Sequence, residues 1–464
     1  MRLTTIARMD LAAGTVHRYS VQVRPIPGTE VPVSFDQERH VALGSRPGSW
    51  IAAAFRPTIP ARRDELARAW HAVIARHGTL TTVFSPALDT SAHDGGRPTL
   101  TTVEVHPGAW VTPQAGPGED PRAVLRREFD RECDPFAAPS YALCLVEHDH
   151  CAAGADRPGD SRPTVVIGFD HAHVDAWSLL VVARDFAACL ADVARGAACP
   201  GSELPPAPAF ARHTAELAAQ RVAPESVRRR WEEIMAAGGG EMPVFPLPLG
   251  DISVPRDEVV EVHHVLDAAG VERLAAHARS AGTRMLALAV AEMTLALHER
   301  GAAGLRAVFP VHSRTGDTWH DSVGWFITNS VLECISDDPL ECGRRITEAI
   351  ALGNHPLEPI LRPWGGMPHT PGMFALSWLD HRRLPVDIDP ALEPQHVSAR
   401  IRTTGVMVWF VVNDTGLHMR CRYPDTPQAR AGVGGWLRAV GAGLDRRADA
   451  LLEASPKLHP ELHE

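Results

Sequence analysis

The sequence predicts a mixed α/β (α+β) protein built as two lobes, and three observations carry that prediction. Strand-like and helix-like segments alternate along the whole chain. The length, 464 residues, exceeds what one hydrophobic core usually spans. A Pro-rich segment at 197–208 and a Gly- and Pro-rich tract at 238–248 interrupt the pattern near the middle, which places lobes at 1–200 and 251–464 around a connection at 201–250.

Taken in order, residues 61–78 form an amphipathic helix, with Leu66, Trp70, Val73 and Ile74 on one face and Gly78 as its stop. Segments 86–98, 107–121 and 151–162 have loop composition. Residues 164–169 are short, apolar and β-branched, as a buried strand requires. A helix follows at 177–195, aligning Leu180, Ala183, Phe186, Ala187 and Leu190, with Gly196 after it. Residues 209–237 are helical and carry Arg228, Arg229 and Arg230; a solvated face explains that run more simply than a site for an acidic carrier protein. Later elements are a helix at 285–300, strands at 306–311, 325–335 and 406–412, and a last helix at 428–444.

Composition narrows the function classes. The chain is 45% hydrophobic and 22% charged, which is globular, and its net charge of -10 argues against a nucleic-acid partner. Residues 1–23 lack the apolar centre of a signal peptide, and no run of about 18 apolar residues marks a membrane span. Eight cysteines (133, 144, 151, 189, 199, 334, 342 and 421) form no CxxC pair. They are expected to be free thiols in a reducing cytoplasm.

The segment richest in chemistry is Asp170-His-Ala-His-Val-Asp-Ala-Trp-Ser178, between the 164–169 strand and the helix after it. A helix start offers unpaired backbone amides with partial positive charge. An imidazole held there can act as a base near neutral pH, with those amides stabilising an oxyanion. His171, His173 and Asp175 also alternate so that an extended chain aims all three to one side, as zinc ligands in a hydrolase do. From this segment alone, acyl transfer and metal-assisted hydrolysis stand level.

Residues 170–178 resemble the HHxxxDG motif of condensation domains and related acyltransferases, with the motif's second His at His171 and its Asp at Asp175. Further motifs of that superfamily follow in order. Ser34-Phe-Asp-Gln-Glu-Arg39 resembles SxxQ, and Arg76-His-Gly-Thr-Leu-Thr-Thr-Val-Phe84 resembles RHxxLRTxF. Val323-Gly-Trp-Phe-Ile-Thr-Asn-Ser330 is similar to GxFxN. The 245–248 tract and Gly48-Ser-Trp-Ile51 look closest to stand-alone, polyketide-associated (Pap-type) acyltransferases.

The resemblance implies two lobes like chloramphenicol acetyltransferase, in a V-shaped pseudo-dimer with a central tunnel. It implies His171 as general base, with amides of Ala176, Trp177 and Ser178 at the oxyanion. Asp175 would be architectural and paired with Arg314. His173, Trp325 and Asn329 are candidate tunnel lining. Acyl-CoA or a phosphopantetheinyl carrier protein would be the donor substrate and a hydroxyl on a natural product, lipid or sugar the acceptor, with no further cofactor, no metal and a monomeric chain. Alternatives are an amide-forming nonribosomal peptide condensation enzyme, the zinc hydrolase, and a degenerate binding module. The chain departs from the motifs at Asp170, where the first motif His is expected, at Ala176 for Gly, and at Thr81 for Arg. Asp170 is expected to point away from His171, because neighbours on an extended segment diverge.

Overall fold

The structure is a computed structural model that describes residues 1–86, 97–148, 162–220 and 222–454. The expected loops at 87–96 and 151–161, including Cys151, lie outside the described residues. The first half runs β1 (Arg2–Thr5), β2 (Gly14–Val31), α1 (Phe35–Val41), β3 (Trp50–Phe55), α2 (Arg63–Arg76), β4 (Thr82–Ser85) and β5 (Thr99–Val111). It continues through α3 (Pro121–Glu132), β6 (Tyr141–His148), β7 (Thr164–Asp170), α4 (Ala176–Ala194) and α5 (Phe210–Ala218). Next come α6 (Glu225–Ala237), β8 (Arg256–Asp267), α7 (Ala268–Ser280), α8 (Met285–His298), β9 (Leu305–His312), β10 (Ile327–Cys334) and α9 (Pro339–Gly353). The last are α10 (Leu357–Leu361), β11 (Phe374–Asp380), β12 (Gln395–Ser398), β13 (Arg402–Thr403), β14 (Val406–Asn413), β15 (Gly416–Pro424) and α11 (Pro427–Ala454).

The chain divides into two compact units. The first comprises Met1–Gln220, His312–Ile327 and Leu384–Ile401, and the second takes the remainder. Contiguous lobes at 1–200 and 251–464 were expected; the second half instead lends two segments to the first unit. The reason is visible in each segment. Residues 395–398 supply a strand of the first sheet, and the 312–327 segment carries the cation that a buried carboxylate there requires.

The first unit is an eight-stranded sheet in the order β1-β12-β3-β7-β6-β2-β5-β4. Its central strands are buried on both faces, so they read as continuous apolar runs. On β3, Ile51, Ala53 and Phe55 face one core while Trp50, Ala52 and Ala54 face another. On β7, Val165, Ile167 and Phe169 join the first of these and Val166 the second. The first core is closed by Leu66, Trp70, Val73 and Ile74 of α2 and by Leu180 and Phe186 of α4. The second is closed by Val124, Leu125 and Phe129 of α3.

The second unit is a seven-stranded sheet in the order β10-β9-β11-β14-β15-β8-β13. Helices α7, α8, α9 and α11 contribute to one apolar core with it, centred on Trp436, Phe374 and Phe410. Helix α8 is buried nearly all round, which explains its uniformly apolar sequence. Among the described residues no single helix is long and apolar enough to cross a membrane. The bent pair α7–α8 passes by length and composition alone.

Three elements differ from expectation. The helix at 209–237 is broken into α5 and α6, because Pro224 caps the second and cannot donate into a continuous helix. Residues 107–111 continue β5, with 109–111 paired to 18–20 of β2, although Pro107 and Gly108 gave them loop composition. The last helix runs to Ala454, ten residues beyond the expected 444.

Gly168 shows how tightly the first sheet is packed. A Cβ there would stand 2.6 Å from Cδ1 of Phe129. Gly168→Ala is therefore expected to lose about 1–3 kcal/mol, the usual cost of overpacking a core. Urea denaturation of the variant checks this; an unchanged midpoint would mean that Phe129 yields freely.

Candidate active site

The turn at 170–178 is fixed from both ends. At the end of β7, the Asp170 amide donates to the Ser140 carbonyl (2.8 Å) and the His171 amide to the Ser49 carbonyl (3.0 Å). Asp170 Oδ1 accepts from the Ala172 amide at 2.9 Å, which shapes a short 3-10 turn over His171–His173. The Ala172 carbonyl accepts from Nε2 of the buried Gln37 at 2.9 Å. Gln37 also closes a capping box with Ser34 at the start of α1, so the SxxQ segment acts by tying α1 to the His turn.

Asp175 caps α4. Its Oδ1 accepts from the Ser178 amide at 2.7 Å, and its Oδ2 from the Phe326 amide at 3.1 Å. The Arg314 guanidinium reaches both carboxylate oxygens, at 3.1 and 3.3 Å. Both side chains are sealed, with residue exposures of 1% for Asp175 and 3% for Arg314. Arg314 also donates to the Trp319 and Ser322 carbonyls, both at 2.7 Å, and lies over the Phe326 ring at 3.8 Å. The sequence reading paired these two residues, and the structure brings them together.

His171 is half-buried, and its ring rests on Trp325 with centroids 4.4 Å apart. Nδ1 is buried and has no hydrogen-bond partner, which leaves Nε2 as the nitrogen open to a reactant. Burial pushes the imidazole down to about 4, so the ring is neutral throughout the physiological range. The indole N–H of Trp325 is likewise buried and unpartnered beside it.

Other predicted residues fall elsewhere. The Ser178 amide is taken by Asp175, and its hydroxyl bridges Gly324 and Arg314, so Ser178 is not an open oxyanion donor. The Ala176 and Trp177 amides remain without a partner among the described residues. The Trp177 indole donates to the His320 carbonyl at 3.0 Å. His173 turns into the interior beside Thr79 and Phe84, with its ring 5.4 Å from that of Phe84. His171, His173 and Asp175 thus address three different neighbourhoods. No group of three or more His, Cys, Asp or Glu among the described residues is arranged to hold a metal. Asn329 lies half-buried on β10 in the second unit.

The other motif residues are structural. Arg76 and His77 both bond Oδ2 of Asp185 on α4, at 2.7 and 3.0 Å. Arg230 pairs with Glu333 and Glu348, both at 2.7 Å, so the Arg228–Arg230 run is partly neutralised within its own unit. The residue that sequence reasoning missed is His40. Its Nε2 is 3.1 Å from Asp170 Oδ2, and its ring centroid is 6.1 Å from that of His171.

No family model matches the chain. Comparison with solved structures gives a TM-score of 0.79 to a PapA2 acyl transferase, at 21% identity, covering 97% of this chain and 100% of that one. The first condensation domain of the calcium-dependent antibiotic synthetase superposes with a TM-score of 0.64 at 17% identity, covering 91% of this chain and 97% of that domain. The chain shares its fold with that acyl transferase and with the condensation domains. Among curated relatives, the trehalose-2-sulfate acyltransferase PapA2 of Mycobacterium tuberculosis is 29% identical over 273 residues. That alignment covers 54% of this chain and 58% of the relative. The acyltransferase PapA3 of the same species is 24% identical over 365 residues, covering 75% of this chain and 72% of the relative. Against that superfamily's motif, Asp170 occupies the first His position and points to His40 and the Ala172 amide, away from the His171 ring as its neighbour geometry predicted.

Arg314→Ala leaves the Asp175 charge buried without its partner and is expected to destabilise the protein by about 3–5 kcal/mol. Asp175→Asn, which removes the charge but keeps an acceptor for the Ser178 amide, should cost less. Equal midpoints for the two variants in chemical denaturation would contradict this.

His77 and His173 are enclosed, and burial lowers both below their ordinary range. The unfolded chain then binds protons near pH 6.5 that the folded chain refuses, so stability rises with pH until 6.5 and falls on acidification below it. Each such group contributes up to about 1.4 kcal/mol per pH unit in that window. Urea midpoints at pH 5 and pH 7 read the effect, with the lower value expected at pH 5.

Proposed function

We propose that the protein is an acyltransferase that moves an acyl group from a thioester to a hydroxyl of a small-molecule acceptor, forming an ester. The donor is a CoA or a phosphopantetheinyl carrier-protein thioester, and the acceptor a sugar, lipid or natural-product alcohol. The observation that carries this reading is the His171 ring. Burial holds it neutral, Nδ1 is closed off, and it stands at a turn that ends on the open amides of α4. Support comes from the relatives, one named for acyl transfer to trehalose-2-sulfate.

In this mechanism Nε2 of His171 accepts the proton of the acceptor hydroxyl as its oxygen bonds to the thioester carbonyl carbon. The carbonyl oxygen takes up the negative charge near the Ala176 and Trp177 amides. Collapse of this intermediate breaks the C–S bond, and the departing sulfur takes the proton back from the imidazolium. A ring with so low a proton affinity is always available as a base. Its pull on the hydroxyl grows only as the C–O bond forms and the O–H becomes acidic. Asp175 and Arg314 hold the turn and do not touch the reactants. Among the described residues, seven free thiols, six of them buried, fit a cytoplasmic setting.

Thiol release from acyl-CoA and from acyl carrier protein, with hydroxyl and amine acceptors, tests the proposal. Ester formation is expected; amide formation alone would instead favour the condensation reading. His171→Ala should lower turnover by about 10² to 10⁴ with folding intact. A variant as active as the parent would refute the assignment. Because the base works in its neutral form, kcat/KM should be level above pH 5 and fall only as the pH drops through about 4.

A further inference from the structure

Asp170 poses a problem that the fold has to solve. It is a fully buried carboxylate one residue from His171, and an unscreened anion there would favour the imidazolium and disable the base. The structure meets this carboxylate with a neighbouring amide and with a ring from a distant part of the chain. Oδ2 faces Nε2 of His40 at 3.1 Å, while Oδ1 holds the Ala172 amide at 2.9 Å. On its other side, Nδ1 of His40 lies 2.9 Å from an Arg46 guanidinium nitrogen. Arginine can only donate, so Nδ1 must accept and the His40 proton sits on Nε2, aimed at Asp170. Arg46 is itself anchored on the His40 and Gly44 carbonyls, both at 3.1 Å. The result is a relay, Arg46 to His40 to Asp170, that places positive charge behind the ring and directs the carboxylate toward it.

We propose that His40 is a positioning residue of this site: its ring takes up the Asp170 carboxylate and keeps that buried charge from acting on His171. The sequence fits the pairing, since the position where the superfamily motif has its first His carries an acid here and a histidine comes from α1 instead. The charged and titratable groups around His171 are His40 with Arg46 behind it, Asp170, His173 in the same turn, and Asp175 with Arg314 beyond it. Of these, His173 is turned into the interior and Asp175 is already matched by Arg314. Asp170 is therefore the charge that His40 has to manage. Trp325 packs against both rings, at 5.3 Å from His40 and 4.4 Å from His171, and keeps them in register.

The inference rests on His171 being the base, so its test has a readout independent of turnover. The His171 ring is titrated by NMR in the full-length protein, alongside the pH profile of kcat/KM. His40→Leu should raise the His171 midpoint by about one pH unit and move the acid limb of the rate profile with it. His40→Gln, which can still donate to Asp170, should keep the parent value, and His40→Leu combined with Asp170→Asn should return to it. An unmoved midpoint in His40→Leu overturns the proposal. If His40→Leu does not fold, Asp170→Asn decides: a midpoint within a few tenths of the parent supports insulation, and a fall of a full unit refutes it. Absence of any acyl transfer by the parent protein would count against the proposed reaction and leave the NMR comparison standing.

Discussion

Asp175 and Arg314 meet in a region that excludes water, and neither ion could remain there alone. Removing two charges from solvent costs more than their attraction returns unless further hydrogen bonds take up most of their remaining lone pairs and protons, and of this pair only Nε of Arg314 is left buried without a partner. Here the carboxylate accepts from two backbone amides and the guanidinium donates to two carbonyls and a serine hydroxyl. The pair therefore ties together the start of α4, the 312–327 segment and the turn at Gly324. Because Asp175 is immobile, the four residues before it have little freedom, and His171 inherits a defined position from an interaction in which it takes no part.

The same logic explains why so few polar groups of the turn are open. Gln37 holds one carbonyl, Asp170 one amide, and the Ser178 hydroxyl serves both backbone groups of Gly324 and the Arg314 guanidinium. Among the described residues, what remains is one half-buried imidazole, one buried indole N–H and two amides. The turn is thus left with little hydrogen-bonding capacity of its own.

Much of this was legible in the sequence. The strand-turn-helix around 164–196 follows from apolar run length and helical periodicity, and the partnership of Asp175 with Arg314 was what the family resemblance implied. The contact of His40 with Asp170, for which no motif speaks, was not. His40 lies 130 residues before Asp170, inside a seven-residue helix too short to show a pattern. The Ser178 amide looked available because a helix start leaves its donors open, and only the cap itself shows which one is used. Pro107 and Gly108 argued for a loop where β2 nonetheless recruits a strand, a case of tertiary pairing outweighing local propensity.

The discontinuity of the first unit bears on how the protein is made. Strand β12 is inserted between β1 and β3, so β3 keeps an unpaired edge until residue 398 has been synthesised. The apolar backbone of 51–54 waits through most of translation for its neighbour, which is the circumstance in which exposed edges recruit other chains. A fragment ending near residue 220 would also carry Asp175 without its cation. Expression of the isolated amino-terminal half should therefore give insoluble material, and any attempt to divide the chain has to carry 312–327 and 384–401 along with it.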